Sequence, residues 1–226
     1  MRTSISKPAG SGGTTQGQRG FTLLELLAVI AIMGVVAGLI MGAQGAAKRT
    51  ANKRLAETER DQLVTFIESY QAKRGVYPPD NPLDTTNNPL FYELSGTTNL
   101  NGTFVAPGAA PLPAATVQSI FKMGGFVNSF NPAGDAGDQS MQSFLKGLKD
   151  NQKLSLTNPL SGTIPYTLLC VPLPNPVNPT WNAAWNYLAA PHATNNSTTF
   201  DLWVDVKIGN QKFRISNWSK QPQTLN

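Results

Sequence analysis

The sequence is poor in the residues that carry most protein chemistry: 226 residues contain one cysteine, Cys170, and one histidine, His192. A lone cysteine excludes an internal disulfide. Placed in the apolar stretch Tyr166 to Val171, it reads as a small buried hydrophobe. His192 stands beside Pro191 in a polar loop, with no second His or Cys at metal-ligand spacing. No motif assembles a Ser/His/Asp or Cys/His set around the single histidine, and neither a phosphate-cradling glycine loop nor a metalloprotease helix motif is present. The expectation is a protein that is not an enzyme and carries no cofactor. Acid is missing from the first 20 residues, where Arg2, Lys7 and Arg19 stand alone. Without them the formal charge of +5 falls to 15 basic against 13 acidic residues. The basic character is therefore largely a property of that leader, which argues against nucleic acid as a partner, since that calls for cations clustered with aromatics on a folded face.

What is present is organised along the chain. Residues 1–20 are rich in Gly, Ser, Thr and Gln without periodicity, as in a segment that joins no fold. From Leu26 to Ala43 run 18 uncharged residues, the length at which a membrane-spanning helix becomes the leading reading. Gly34, Gly38 and Gly42 recur along it at every fourth position, as chance glycines or as a stripe that lets helices approach closely. Lys48, Arg49, Lys53 and Arg54 follow, and then Leu63, Phe66, Ile67 and Tyr70 fall at i, i+3, i+4 and i+7 on one apolar helical face. The spacing predicts one helix from Phe21 to about Lys73, half in lipid (21–45) and half (46–74) packed on a soluble domain (75–226). Gly75 stops it, and Pro78 and Pro79 prevent its resumption.

The soluble part predicts loops around 78–115 and 172–180 and a short helix capped by Asp138 that carries Met141, Phe144, Leu145 and Leu148. Tyr166 to Val171 suits a strand. Leu202, Val204, Val206 and Ile208 alternate with Asp201, Trp203, Asp205 and Lys207; Gly209 and Asn210 then turn the chain, and Phe213 and Ile215 continue the alternation. A β-hairpin over 200–218 follows, with Val206 opposite Phe213, Val204 opposite Ile215, and an exposed pair, Asp205 opposite Arg214.

The junction Arg19, Gly20, Phe21, Thr22, Leu23, Leu24, Glu25, Leu26, Leu27 resembles the N-terminal signal of the type IV pilin and type II secretion pseudopilin superfamily. The resemblance, which covers residues 19 to about 79, implies cleavage by a prepilin peptidase after Gly20 and methylation of the new N-terminal Phe21. Because the cut precedes the apolar run, the retained helix becomes an anchor and later the filament core. It also implies that Glu25 pairs with the free amine of Phe21 on a neighbouring subunit; without the resemblance, Glu25 is an acid in the headgroup region, favoured by the helix macrodipole. Charge counting does not orient the chain, with three basic residues in the leader and four beyond the apolar run. The resemblance places the leader in the cytoplasm and the C-terminal domain in the periplasm.

Arg74 to Pro79 is similar to the segment that closes the long helix of major pseudopilins. Phe200 to Trp203 and Ile215 to Trp218 are similar to their C-terminal ends, where calcium is often bound. Here a hairpin separates the two pieces, and Asp201 and Asp205 are too few oxygen ligands to assign a metal. Gly42 stands where many pilins carry a helix-bending proline. The expected fold is α+β and pilin-like: a long N-terminal helix, half transmembrane, on a small antiparallel sheet with a loop-rich middle. The implied partners are other pilin-like subunits, the prepilin peptidase, inner-membrane assembly machinery and membrane lipid. A type II secretion pseudopilin is the leading function. A type IV pilus or DNA-uptake subunit is the near alternative, and an exported or plainly anchored binding protein is the alternative from another class.

Overall fold

A computed structural model of the chain describes residues 21–132, 141–157 and 162–226, with the side chains of 39–43 outside that description. The chain divides into two compact units, Met1–Ala46 and Ala47–Asn226. Helix α1, Leu23–Arg74, contributes to both. It ends as the sequence requires: Gly75 takes φ +79°, a left-handed value that costs a glycine nothing, and its N–H donates to Gln71 O at 2.8 Å.

In the second unit the expected stripe of α1 is buried. Ala56, Leu63, Ile67 and Tyr70 are at most 5% exposed, and Phe66 packs beside them. The partner surface is larger than one small sheet. Strands β1 (Thr97–Leu100), β2 (Thr103–Val105), β3 (Leu112–Pro113) and β4 (Ser129–Phe130) form a sheet in the order β3-β2-β1-β4. β1 and β4 run parallel, so this sheet is mixed. Strands β5 (Lys153–Leu156), β6 (Tyr166–Pro174) and β7 (Asn182–Ala184) form a second. Strands β8 (Asn186–Ala189), β9 (Phe200–Ile208), β10 (Gln211–Ser216) and β11 (Gln223–Leu225) form a third, in the order β11-β10-β9-β8. The class is α+β as expected, while the single small antiparallel sheet is corrected to three sheets.

The loop-rich middle needs the same correction. Residues 78–115 hold α2 (Leu90–Ser95), all of it buried, together with β1 to β3, and α3 (Ala114–Phe121) follows. The helix expected over Met141 to Leu148 does not form, and its cap Asp138 lies outside the described residues. Its backbone donors are taken elsewhere: Phe144 N–H donates to Leu94 O at 2.7 Å and Gln142 N–H to Asn128 Oδ1 at 3.0 Å. Phe144, Leu145 and Leu148 still cover the core, now from an irregular segment.

A polar knot fixes this segment to α1. Glu93 is fully buried on α2; its carboxylate accepts from Tyr70 Oη (2.9 Å), Val127 N (2.8 Å) and Asn128 N (2.9 Å). Asn128 Nδ2 bridges Glu93 O and Gln142 O, and the Arg74 guanidinium donates to Asn128 Oδ1. Burial raises the Glu93 carboxyl above its ordinary value, against the lowering effect of these donors.

The hairpin has the expected register, with Phe213 opposite Val206, Ile215 opposite Val204 and Arg214 opposite Asp205. Gly209 opens its two-residue turn at φ +64°. The apolar partners are buried, at most 4% exposed. The charged pair is not open to solvent as expected: its side chains are 27% and 34% exposed, joined by two 2.8 Å bonds, and Arg214 lies over Trp203. The neighbouring indole shelters the pair while leaving its outer edge wet.

Candidate functional site

The first unit presents its apolar side chains outward. Every described side chain from Phe21 to Gly38 is exposed, including Phe21 at 81% and Leu23 at 83%. Contiguous apolar exposure on this scale marks a surface made for lipid or for other protein. Among the described residues no helix is long and apolar enough to cross a membrane. Within the uncharged run, the stretch whose side chains are described, Leu26 to Gly38, is shorter than the roughly 20 residues a bilayer requires.

At the head of this helix Thr22 and Glu25 form a reciprocal cap. Glu25 N–H donates to Thr22 Oγ1 at 3.2 Å, while Thr22 N–H and hydroxyl both donate to Glu25 Oε2 at 2.9 Å. This is a capping box, which satisfies two amides that a helix start otherwise leaves unpaired. Both donors sit on Oε2, so Oε1 is left to accept from a group outside the helix. Sequence reasoning singled out Glu25 but missed its partner, although Thr-x-x-Glu before an apolar run is the written signature of the box.

The remaining singled-out residues separate. Gly20 lies outside the described residues. A methyl group added at Gly34 or Gly38 would meet nothing within 4 Å, so neither is required by packing inside the chain. Gly42 falls among the side chains outside the description. Asp201 and Asp205 do not converge. The Asp201 carboxylate, 1% exposed, accepts from the N–H groups of Thr194, Asn195 and Asn196, each at 2.8 Å. Burial pushes its pKa up, but these donors outweigh burial and hold it below the ordinary value. Its role is to tie that loop to β9. His192 Nδ1 lies 3.0 Å from Asp80 on a half-exposed surface.

Cys170 is buried, as expected, and burial, with the Glu59 charge nearby, pushes its thiol up to about 12. Such a thiol is not a nucleophile at neutral pH. Glu59 itself is a buried acid on α1. It is 6% exposed, lies in a cleft with Gln152, Cys170 and Trp185, and its Oε2 has no hydrogen-bond partner. Burial pushes its pKa up to about 7, which a hydrogen bond from Gln152 and the Lys149 charge only partly oppose. Below about pH 4.5 the group is neutral both folded and unfolded. Above about pH 7 folding must bury its charge, so its contribution is lost as pH rises between those values. Glu59→Gln is expected to stabilise the chain at pH 8 by on the order of 3 kcal/mol and to give no gain at pH 4. Thermal unfolding of the full chain in detergent at both pH values checks this; an equal gain at both contradicts it.

A family model described as the prokaryotic N-terminal methylation motif matches residues 15–41. The chain is 37% identical over 67 residues to the type II secretion system core protein G of Escherichia coli strain K12, which covers 30% of this chain and 46% of that protein. It is 38% identical over 61 residues to the core protein G of Dickeya chrysanthemi, covering 27% of this chain and 40% of that one. The core protein G of Klebsiella michiganensis matches at 35% over 63 residues, 28% of this chain and 44% of that one. The chain thus spans less than half the length of these relatives. No solved structure matches it.

Proposed function

We propose that this chain, whose N-terminal segment matches the prokaryotic methylation motif, is a member of the type IV pilin and pseudopilin superfamily and a non-enzymatic subunit of a pilus-like filament in a type II secretion system. The observation that carries the reading is the junction at Phe21: α1 starts at Leu23 under the Thr22–Glu25 cap, and its side chains as far as Gly38 are all exposed and, apart from Glu25 and small residues, apolar. A helix of that kind has no stable place in water by itself. It gains one in a bilayer and again in a bundle of identical helices.

In this reading a prepilin peptidase cuts between Gly20 and Phe21 and methylates the Phe21 amine. Residues 21–45 hold the subunit in the bacterial inner membrane as a single span, leader in the cytoplasm and the 75–226 domain in the periplasm. Assembly machinery then transfers the helix from lipid to the filament. Glu25 guides that step. Its Oε2 stays engaged with Thr22, and Oε1 accepts from the Phe21 amine of a neighbour, so two charges that are each costly among apolar helices neutralise one another. Gly34, Gly38 and Gly42 let the packed helices approach, consistent with the open space around the first two.

Cleavage is tested at its own residue. Replacing Gly20 with a bulky side chain is expected to leave the leader attached, seen as the slower-migrating form when the chain is co-expressed with the peptidase. Unchanged processing of that variant would count against the proposal.

A further inference from the structure

Cations from two distant parts of the sequence come together at the tip of the β9–β10 hairpin. Four, Lys48, Arg49, Lys53 and Arg54, lie on α1 just beyond the uncharged run. The other two, Lys207 and Lys212, are register partners on the hairpin itself. The tip is held against the helix: the Arg49 guanidinium lies so close to Gly209 that a Cβ there would stand 3.1 Å from Nε. One turn further on, the Lys53 ammonium sits 3.9 Å from the centre of the Phe213 ring. Strand alternation puts Phe213 and Val206 on the face toward the core and Lys207 and Lys212 on the other. Cations therefore flank the tip on both faces.

This arrangement works against folding. Like charges directly opposite each other in a β-ladder are destabilising, and Lys207 and Lys212 are such a pair. Among the described residues, none of the six is in an ion pair. Of the acids nearest in sequence, Asp205 is held by Arg214, Asp61 by Arg60, and Glu59 is buried in its cleft; Glu57, four residues on from Lys53, is in no ion pair with it. Lys48, Arg49, Arg54 and Lys212 are exposed. Six cations in no ion pair, with Glu57 as the one acid within a helical turn of Lys53 and Arg54, leave a net positive cluster next in sequence to an apolar segment, complementary to one extended surface, a layer of anionic headgroups.

We infer that the hairpin tip and the basic turns of α1 form one collar that seats the 75–226 domain on anionic phospholipid of the leaflet from which the chain emerges. The inference rests on the anchor reading above and adds a second, electrostatic contact to it. The collar holds the domain down before assembly and is released when the subunit leaves the membrane. Because the attraction is between exposed charges, it weakens with salt.

The test uses the full chain reconstituted in vesicles of phosphatidylcholine alone or with phosphatidylglycerol added. An environment-sensitive nitrobenzoxadiazole dye is placed by Asn210→Cys, an exposed turn position; native Cys170 is too buried to compete for the label. The expected result is a blue-shifted, brighter emission with phosphatidylglycerol only, reversed by high salt. Lys207→Gln with Lys212→Gln should remove most of that shift while the chain still floats with both kinds of vesicle. A labelled chain that floats equally but reports the same environment in both overturns the collar and leaves the anchor standing. A shift that follows protein concentration in neutral vesicles also overturns it, in favour of an acidic face on a second copy. Failure to float with either vesicle overturns the anchor and the collar together.

Discussion

Replacing Glu25 with glutamine is expected to abolish filament formation while leaving processing and the fold of residues 47–226 unchanged. Glutamine is the other residue that closes a capping box, so the variant keeps the bond from Thr22 N–H and loses only the charge. Within one subunit that loss is harmless: an acid at the centre of a bilayer span costs about 2.5–3.5 kcal/mol on insertion scales, and less near the interface, so the neutral variant sits in the membrane at least as well. In the filament the same change leaves a neighbour's Phe21 amine as an uncompensated cation among apolar helices, at a cost of several kcal/mol for every subunit added. Immunoblots of precursor, processed subunit and sheared filament distinguish the stages. Normal processing with filament lost is the expected pattern. A normal filament yield would return Glu25 to the role of a helix cap.

The second large effect belongs to the soluble unit. Phe213→Ala is expected to destabilise it by roughly 3–5 kcal/mol, because the ring is 4% exposed, stands opposite Val206 and underlies the Lys53 ammonium. Asp205→Ala breaks a bidentate pair with Arg214 that is still about one-third open to water, and is expected to cost about 1 kcal/mol. Chemical denaturation of the full-length variants in detergent gives the ranking. Equal costs would mean that the hairpin core contributes no more than its rim.

The hairpin was legible because two local signals agreed: period-two alternation on both strands and a glycine-led turn of two residues between them. The stripe from Leu63 to Tyr70 was legible for the same reason, a local period matched to a local element. The elements that escaped the sequence depend on distant partners. β1 is four residues long and is completed by β4, which reaches it only after α3 has intervened. The segment from Met141 to Leu148 has helical spacing, yet Leu94 O and Asn128 Oδ1 claim its amides, and no local pattern announces either acceptor. Asp201 stands on the solvent side of an alternating strand by sequence but is buried by the 194–196 loop that folds over it. At the candidate site, Gly20, Phe21 and Glu25 were legible as a motif, and Thr22 was legible but unread. The convergence of Lys207 and Lys212 on Arg49 and Lys53 belongs to tertiary structure alone.

The mature N-terminus is the most direct measure of the account. Mass spectrometry of the chain recovered from membranes of cells that carry a prepilin peptidase should find a protein beginning at N-methylated Phe21, with residues 1–20 gone. A chain beginning at or near Lys48 would make the apolar run an ordinary secretory signal, and an intact Met1 would make it a plain anchor. Either result would contradict a filament subunit built around the Phe21 amine and Glu25.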